Sequence, residues 1–259
     1  MLRRLDLNSD MGERETAEGL ALDAALMPLI TSVNIACGGH AGSRNLIRRT
    51  ASLAQQHGVV VGAHPGLPDR QSFGRIERDV TSNDIRCLVS EQVRTCSRVL
   101  DEEGVRLRHV KPHGALYNMA ARDEGIAQAI VTAVCEVDRS LLLYALAGSV
   151  LAHVGEAAGL TVVHEGFADR AYRGNGQLVS RSETGAVIED EDGVRAQLHQ
   201  LIHGNVMTVD GTLIPVSIQS LCLHSDIPQA LLHGGGFWLP KSKRNTSAPT
   251  LAKATSISV

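Results

Sequence analysis

Short apolar runs alternate with helical stripes along almost the whole chain. That alternation constrains the fold more than any single motif, because strands separated by helices build a parallel sheet. Seven runs read as strands, at residues 5–8, 32–37, 59–63, 107–110, 141–147, 161–164 and 218–223. Residues 59–63 are apolar throughout, the pattern of a strand buried on both faces. Apolar residues at helical spacing predict helices over 23–30, 45–57, 83–103, 123–137 and 150–158, and another from Asp190 or Asp192 to about 202. Ser43 and Ser82 are the expected N-caps of the second and third of these, and Gly58 ends the second. Residues 205–216 read as a small hairpin turning at Asp210-Gly211. Neither a linker nor a fixed-period repeat interrupts the pattern. It predicts one α/β domain over residues 1–232, followed by an atypical tail over 233–259. Aromatics are only 3% of the chain, so an aliphatic core of Val, Leu, Ile and Ala is expected.

The polar residues collect where the strands end. Asp10 and Glu13 follow the first run, His40 the second, and His64 and Asp69 the third. Lys111 and His113 follow the fourth; Glu165, Asp169 and Arg170 the sixth; His224 and Asp226 the seventh. In a parallel barrel all these ends lie at one rim, where barrel enzymes carry their active sites. The densest stretch is His109-Val110-Lys111-Pro112-His113-Gly114-Ala115-Leu116-Tyr117-Asn118. Pro112 keeps the residue before it extended, so Lys111 and His113 should project from a strand end on one face. Alone, the stretch reads equally as a polar loop with satisfied histidines or as the floor of a site.

Other classes lose support. A net charge of -3 gives no basic footprint for nucleic acid, and no apolar run approaches a membrane span. The N-terminus lacks the apolar segment of a signal peptide. Five cysteines without a CxxC pair suit reduced thiols in a cytoplasmic setting. P-loop, GxSxG and dinucleotide-binding patterns do not occur. A metal set of one Asp and two His could be drawn from Asp10, His40, His64 and His113, without an HxxxH or HExxH spacing to support it.

The block Asp6-Leu7-Asn8-Ser9-Asp10-Met11-Gly12-Glu13 resembles the N-terminal signature of the LamB/YcsF lactam-utilisation family. So do Asn34-Ile35-Ala36-Cys37-Gly38-Gly39-His40-Ala41-Gly42 and Gly62-Ala63-His64-Pro65-Gly66-Leu67-Pro68-Asp69. Residues 110–118, Glu165-Gly166-Phe167-Ala168-Asp169-Arg170-Ala171-Tyr172, Leu178-Val179-Ser180-Arg181 and Cys222-Leu223-His224 extend the likeness over about residues 5–230. The resemblance implies a seven-stranded β/α barrel of the glycoside hydrolase and deacetylase type. It implies the A subunit of an ATP-dependent 5-oxoprolinase, opening 5-oxoproline to glutamate with ATP as co-substrate, beside B and C subunits. A divalent metal ion is a further candidate cofactor, and a homo-oligomer a candidate assembly. Expected catalytic residues are Asp10, Glu13, His40, His64, Lys111, His113 and Asp169. Asn8, Asp69, Tyr117, Asn118, Glu165, Arg170, Arg181, His224 and Asp226 are expected to bind substrate or phosphate. Asp10, His40 and His64 are the candidate metal ligands.

The chain departs from that pattern at Gly39, where the family has an aromatic residue, which predicts a wider pocket. It departs again at Ser43, at Ser225, and after Ala230-Leu231-Leu232, where Gly234-Gly235-Gly236 cannot hold a helix. From about Lys241 onward the polar tail is expected to be poorly ordered. Two rival readings remain at this stage: a stand-alone metal-dependent deacetylase or amidohydrolase, and a non-catalytic subunit that presents a small acid to partners.

Overall fold

The computed structural model describes residues 5–223. Seven parallel strands close into a barrel: β1 (Asp6–Met11), β2 (Ser32–Ala36), β3 (Val60–His64), β4 (Leu107–Val110), β5 (Leu142–Leu146), β6 (Val162–Phe167) and β9 (Ser220–Cys222). β9 pairs with both β6 and β1, which closes the ring. The short strands β7 (Asn205–Met207) and β8 (Leu213–Pro215) form the predicted hairpin outside the barrel. The helices are α1 (Ala17–Leu26), α2 (Arg44–His57), α3 (Ser82–Glu102), α4 (Gly114–Ala120), α5 (Glu124–Val137), α6 (Val150–Ala157) and α7 (Glu191–Ile202).

Local chemistry sets most of these boundaries. Ser43 caps α2 by accepting from the Leu46 N–H, and Gly58 ends that helix at φ 68°. Asp123, Ser149 and Asp190 cap α5, α6 and α7 in the same way. Thr81, not Ser82, caps α3, with its hydroxyl accepting from the Asp84 N–H at 3.1 Å. The first helix begins at Ala17 rather than residue 23, because Thr16 accepts from the Gly19 N–H and starts it early. The sixth strand runs three residues beyond its expected end, to Phe167. His224, Asp226 and the tail expected over 233–259 lie outside the described residues.

The aliphatic core forms where strands meet helices. Val33, Ile35, Val61, Ala63 and Leu143 on the strands pack with Ile47, Ala51, Val89, Val93, Ile130 and Leu151 on the helices. The inside of the barrel differs from the aliphatic core expected of this composition. Tyr144 on β5 reaches Asp6 on β1 at 3.0 Å, and Asn8 on β1 reaches Glu165 on β6 at 2.7 Å. Asp6 also accepts from Ser32 at 2.9 Å and from Ser220 at 2.5 Å. Alternate residues of the strands thus line the interior with polar groups that bond one another, apart from His109 Nδ1, which has no hydrogen-bond partner among the described residues.

Gly62 makes room for one of them. A Cβ there would lie 2.1 Å from the ring of His109, which is fully buried. Gly62→Ala should therefore destabilise the barrel by about 3 kcal/mol, the upper end for overpacking, since a buried ring has nowhere to yield. Urea unfolding would measure this, and a change under about 1 kcal/mol would show that the ring can move.

Candidate functional site

The barrel interior and its C-terminal rim gather nine of the expected residues into one connected group. Lys111, just past β4, is its hub. Its ammonium lies 3.1 Å from Asp10 Oδ1 and 2.8 Å from Glu165 Oε1. It also donates to Asn8 Oδ1 at 3.0 Å and approaches Cys222 Sγ at 3.1 Å. Burial alone would lower the lysine pKa; the charges of Asp10, Cys222 and Glu165 outweigh it and hold Lys111 well above its usual range. Glu165 accepts further bonds from Asn8 Nδ2 and from the Tyr117 hydroxyl, both at 2.7 Å. Because β6 extends past it, Glu165 points into the barrel as the buried partner of Lys111, instead of standing on the rim as expected.

Asn34 and His109 support this group from below. Asn34 Nδ2 donates to Asn8 Oδ1 at 2.7 Å and to Asp10 Oδ1 at 2.8 Å. With its amide nitrogen so used, Asn34 presents its oxygen to His109 Nε2 at 2.7 Å. Burial pushes the His109 pKa down to about 3, which keeps this ring neutral.

Three histidines converge beside Asp10. His64 Nδ1 lies 2.7 Å from the Lys111 carbonyl oxygen, and His113 Nε2 lies 2.8 Å from the Phe73 carbonyl oxygen. Carbonyl oxygens only accept, so each of these nitrogens carries its proton. The opposite nitrogens, His64 Nε2 and His113 Nδ1, face one another at 2.9 Å. Asp10 Oδ2 is 3.3 Å from His64 Nε2, and Glu13 Oε1 is 3.7 Å from His113 Nδ1. His40 stacks on His113, with centroids 3.5 Å apart, and its Nε2 lies 3.2 Å from Glu13 Oε1. Burial pushes the His40 pKa down to about 2 and that of His113 well below its usual range. Burial also raises Glu13, opposed by His113.

Ligand atoms of Glu13, His40, His64 and His113 lie within 4.8 Å of one another. This set shares His40 and His64 with the expected metal ligands. Asp10 stands beside it, held by Lys111 and Asn34.

Other expected residues are engaged elsewhere. Asp69 anchors the loop after β3, accepting from the Ser72 N–H at 3.2 Å and pairing with Arg78 at 3.0 Å. Arg170 is buried and donates to the carbonyls of Val179 and Ala186, at 2.6 and 3.3 Å. Burial, with Arg181 adding to it, lowers Arg170 to about 10. Asp169 is buried beside it, and Arg181 is half-buried on the loop between β6 and α7. Asn118 lies half-buried on α4, and no side-chain hydrogen bond joins it to the cluster among the described residues. Gly39 does not widen a pocket. A Cβ there would meet the Gly66 carbonyl at 2.5 Å and Gln92 at 2.6 Å, and Gln92 is itself bonded to both backbone groups of Gly66.

Sequence reasoning missed Asn34, His109, Phe73 and Cys222 as parts of this site. A signal existed for the first two: polar residues at alternate positions inside otherwise apolar strands.

The chain matches the LamB/YcsF family profile over residues 5–234. It is 45% identical over 231 residues to a Symbiobacterium thermophilum protein named as the A subunit of 5-oxoprolinase, covering 89% of this chain and 88% of that one. A Bordetella pertussis protein of the same name is 45% identical over 236 residues, covering 91% and 94%. The crystal structure of a lactam utilization protein from Thermus thermophilus superposes with a TM-score of 0.79 at 40% identity, covering 90% of this chain and 97% of that one.

Proposed function

The chain belongs to the LamB/YcsF family, and from that premise we propose that it is the A subunit of a 5-oxoprolinase. It opens 5-oxo-L-proline to L-glutamate within an assembly that consumes ATP and includes B and C subunits. The observation that supports this most is the pairing of high identity to proteins of that name with an intact polar rim. The rim offers a fixed carboxylate, Asp10, to manage protons during amide opening.

A divalent ion fits the residues present. Two imidazole lone pairs meet at 2.9 Å, both tautomers being fixed from behind by carbonyls. Such a contact needs a positive charge in it, and burial disfavours protonating His113. Glu13, His40, His64 and His113 would hold the ion, which when bound supplies a Lewis acid for the lactam oxygen or an acidified water. Asp10 is the residue placed to take a proton from the attacking water and return it to the leaving nitrogen. Its Oδ1 is fixed by Lys111 and Asn34, while Oδ2 faces the histidines. Lys111 balances Asp10 and Glu165, and Tyr117 fixes the far oxygen of Glu165.

The need for ATP follows from the substrate. The product carries its amine and carboxylate in one molecule, so re-closure is intramolecular and has a high effective concentration. Ring opening therefore requires a coupled reaction, such as phosphorylation of the lactam oxygen. The test is release of glutamate and phosphate by this chain alone, by each partner alone, and by the mixture. Turnover is expected only in the mixture, at about one ATP per ring, a stoichiometry set by one activation per carbonyl. Robust ATP-independent hydrolysis by this chain alone would overturn the proposal in favour of a stand-alone amidohydrolase.

A further inference from the structure

We propose that Phe73 is a positioning residue whose backbone locks the tautomer of His113. The inference rests on the reading above, in which His113 lends its Nδ1 lone pair to the site. Among the described residues Phe73 is the only non-glycine residue with positive φ, at 55°. An aromatic side chain incurs a steric cost there, and such outliers persist only where the surroundings enforce them. The enforcement is visible. Phe73 N–H donates to the Arg70 carbonyl at 3.3 Å, and Gly74 N–H to the Asp69 carbonyl at 2.7 Å. Asp69 is held in turn by Ser72 and Arg78. From the other side, the Ala115 N–H donates to the Gly74 carbonyl at 2.9 Å, tying the loop to α4.

This turn delivers the Phe73 carbonyl to His113 Nε2 at 2.8 Å. The ring of Phe73 stands edge-on to His40 and His113, with centroids 5.5 and 5.4 Å away. Gly74 lies against the same two residues, since a Cβ there would be 2.7 Å from His40 Cβ and 3.2 Å from the His113 ring at Cδ2. His113 is also the N-cap residue of α4, yet its side chain makes no capping bond. Stacking on His40 holds the ring plane, and the Phe73 carbonyl is the acceptor that decides which ring nitrogen carries the proton. Without that acceptor, the Nδ1–H tautomer would become available and would turn a donor toward His64 Nε2, removing a lone pair from the cluster.

Two substitutions separate the backbone role from that of the ring. Phe73→Asn and Phe73→Val both delete the ring, but asparagine tolerates a left-handed backbone and a β-branched valine resists it. The readout is long-range 1H–15N correlation of the histidine rings in the metal-free full-length chain, with His113 assigned by comparison with His113→Gln. Zn2+ affinity is measured alongside. The wild type and Phe73→Asn should show His113 protonated at Nε2, whether or not a proton is also shared between its Nδ1 and His64 Nε2 in the absence of the ion. Phe73→Val should populate the Nδ1–H form and lose roughly 10- to 100-fold in Zn2+ affinity, as expected when support behind a ligand is removed. An Nδ1–H tautomer in the wild type, or identical behaviour of the two variants, would overturn the proposal. If no variant binds Zn2+ while the tautomers follow this order, the positioning role stands and the cation reading fails.

Discussion

Lys111→Met should destabilise the protein by roughly 3–5 kcal/mol, the cost of leaving buried charges without their partner. Methionine keeps most of the volume, so the loss is electrostatic. The ammonium sits between Asp10 Oδ1 at 3.1 Å and Glu165 Oε1 at 2.8 Å, with Lys111 and Glu165 both buried. Without it, two carboxylates share one low-dielectric interior. For a chain of this size, that loss corresponds to a Tm decrease of roughly 6–20 °C. Adding Glu165→Gln should recover a large part, because it removes one of the two buried charges, its amide oxygen still accepts from Asn8, and its amide nitrogen can donate to the Tyr117 hydroxyl. A Lys111→Met variant melting within about 2 °C of wild type would refute the role of Lys111 as the interior counter-charge.

The same geometry changes how Lys111 is expected to act in catalysis. Read from the sequence, it is a free cation that meets a substrate carboxylate or phosphoryl group. In the structure its donors are directed at Asn8, Asp10, Glu165 and Cys222. An ammonium has three protons, so its effect on turnover passes through the orientation of Asp10. Loss of Lys111 should lower kcat/KM by at least ~2 kcal/mol in transition-state terms, the scale of a lost oriented polar group. The assembled enzyme is the sample to assay, at a temperature where the variant remains folded.

Much of this was legible in the chain because strand ends carry their own punctuation. Gly38, Pro65 and Pro112 mark where backbone leaves the sheet, and His40, His64, Lys111 and His113 stand beside them. The barrel brings these together without further information. Helix α4 was hidden because Lys-Pro-His-Gly reads as loop, and Gly114 starts the helix at φ 54°. Packing of the buried Leu116 and Tyr117 overrides that local preference. The interior polar ladder was hidden for a different reason. Asp6, Asn8 and Asp10 alternate in β1, and Ser32 and Asn34 in β2, but a period of two does not say which face is inside. At the intervening positions Met11, Val33 and Ile35 pack with the helices, so the polar set turns inward, where only tertiary pairing stabilises it. Asp69 shows the converse: an acidic residue at a strand end whose neighbours in space, Ser72 and Arg78, commit it to loop structure.

His64→Ala should abolish the response of the protein to divalent ions. His64 is the ring at the centre of the cluster, 2.9 Å from His113 Nδ1 and 3.3 Å from Asp10. Its other nitrogen is fixed by the Lys111 carbonyl at 2.7 Å, so its lone pair is already aimed. Removing support behind a ligand typically costs roughly 10- to 100-fold in affinity, and removing the ligand itself should cost at least about 100-fold. An ion that binds only the folded wild type raises its stability by about 2.7 kcal/mol at a concentration of about 100 Kd. Wild-type Tm should therefore climb with added Zn2+ or Mn2+, while His64→Ala stays flat. The metal-free proteins should differ in the opposite sense, or little, because the substitution also removes one of two lone pairs facing each other in a buried space. That reversal distinguishes a cation site from a structural histidine, whose loss would lower Tm with or without metal. A wild-type protein that neither binds nor is stabilised by a divalent ion would leave a proton shared between His64 and His113 as the charge in the contact.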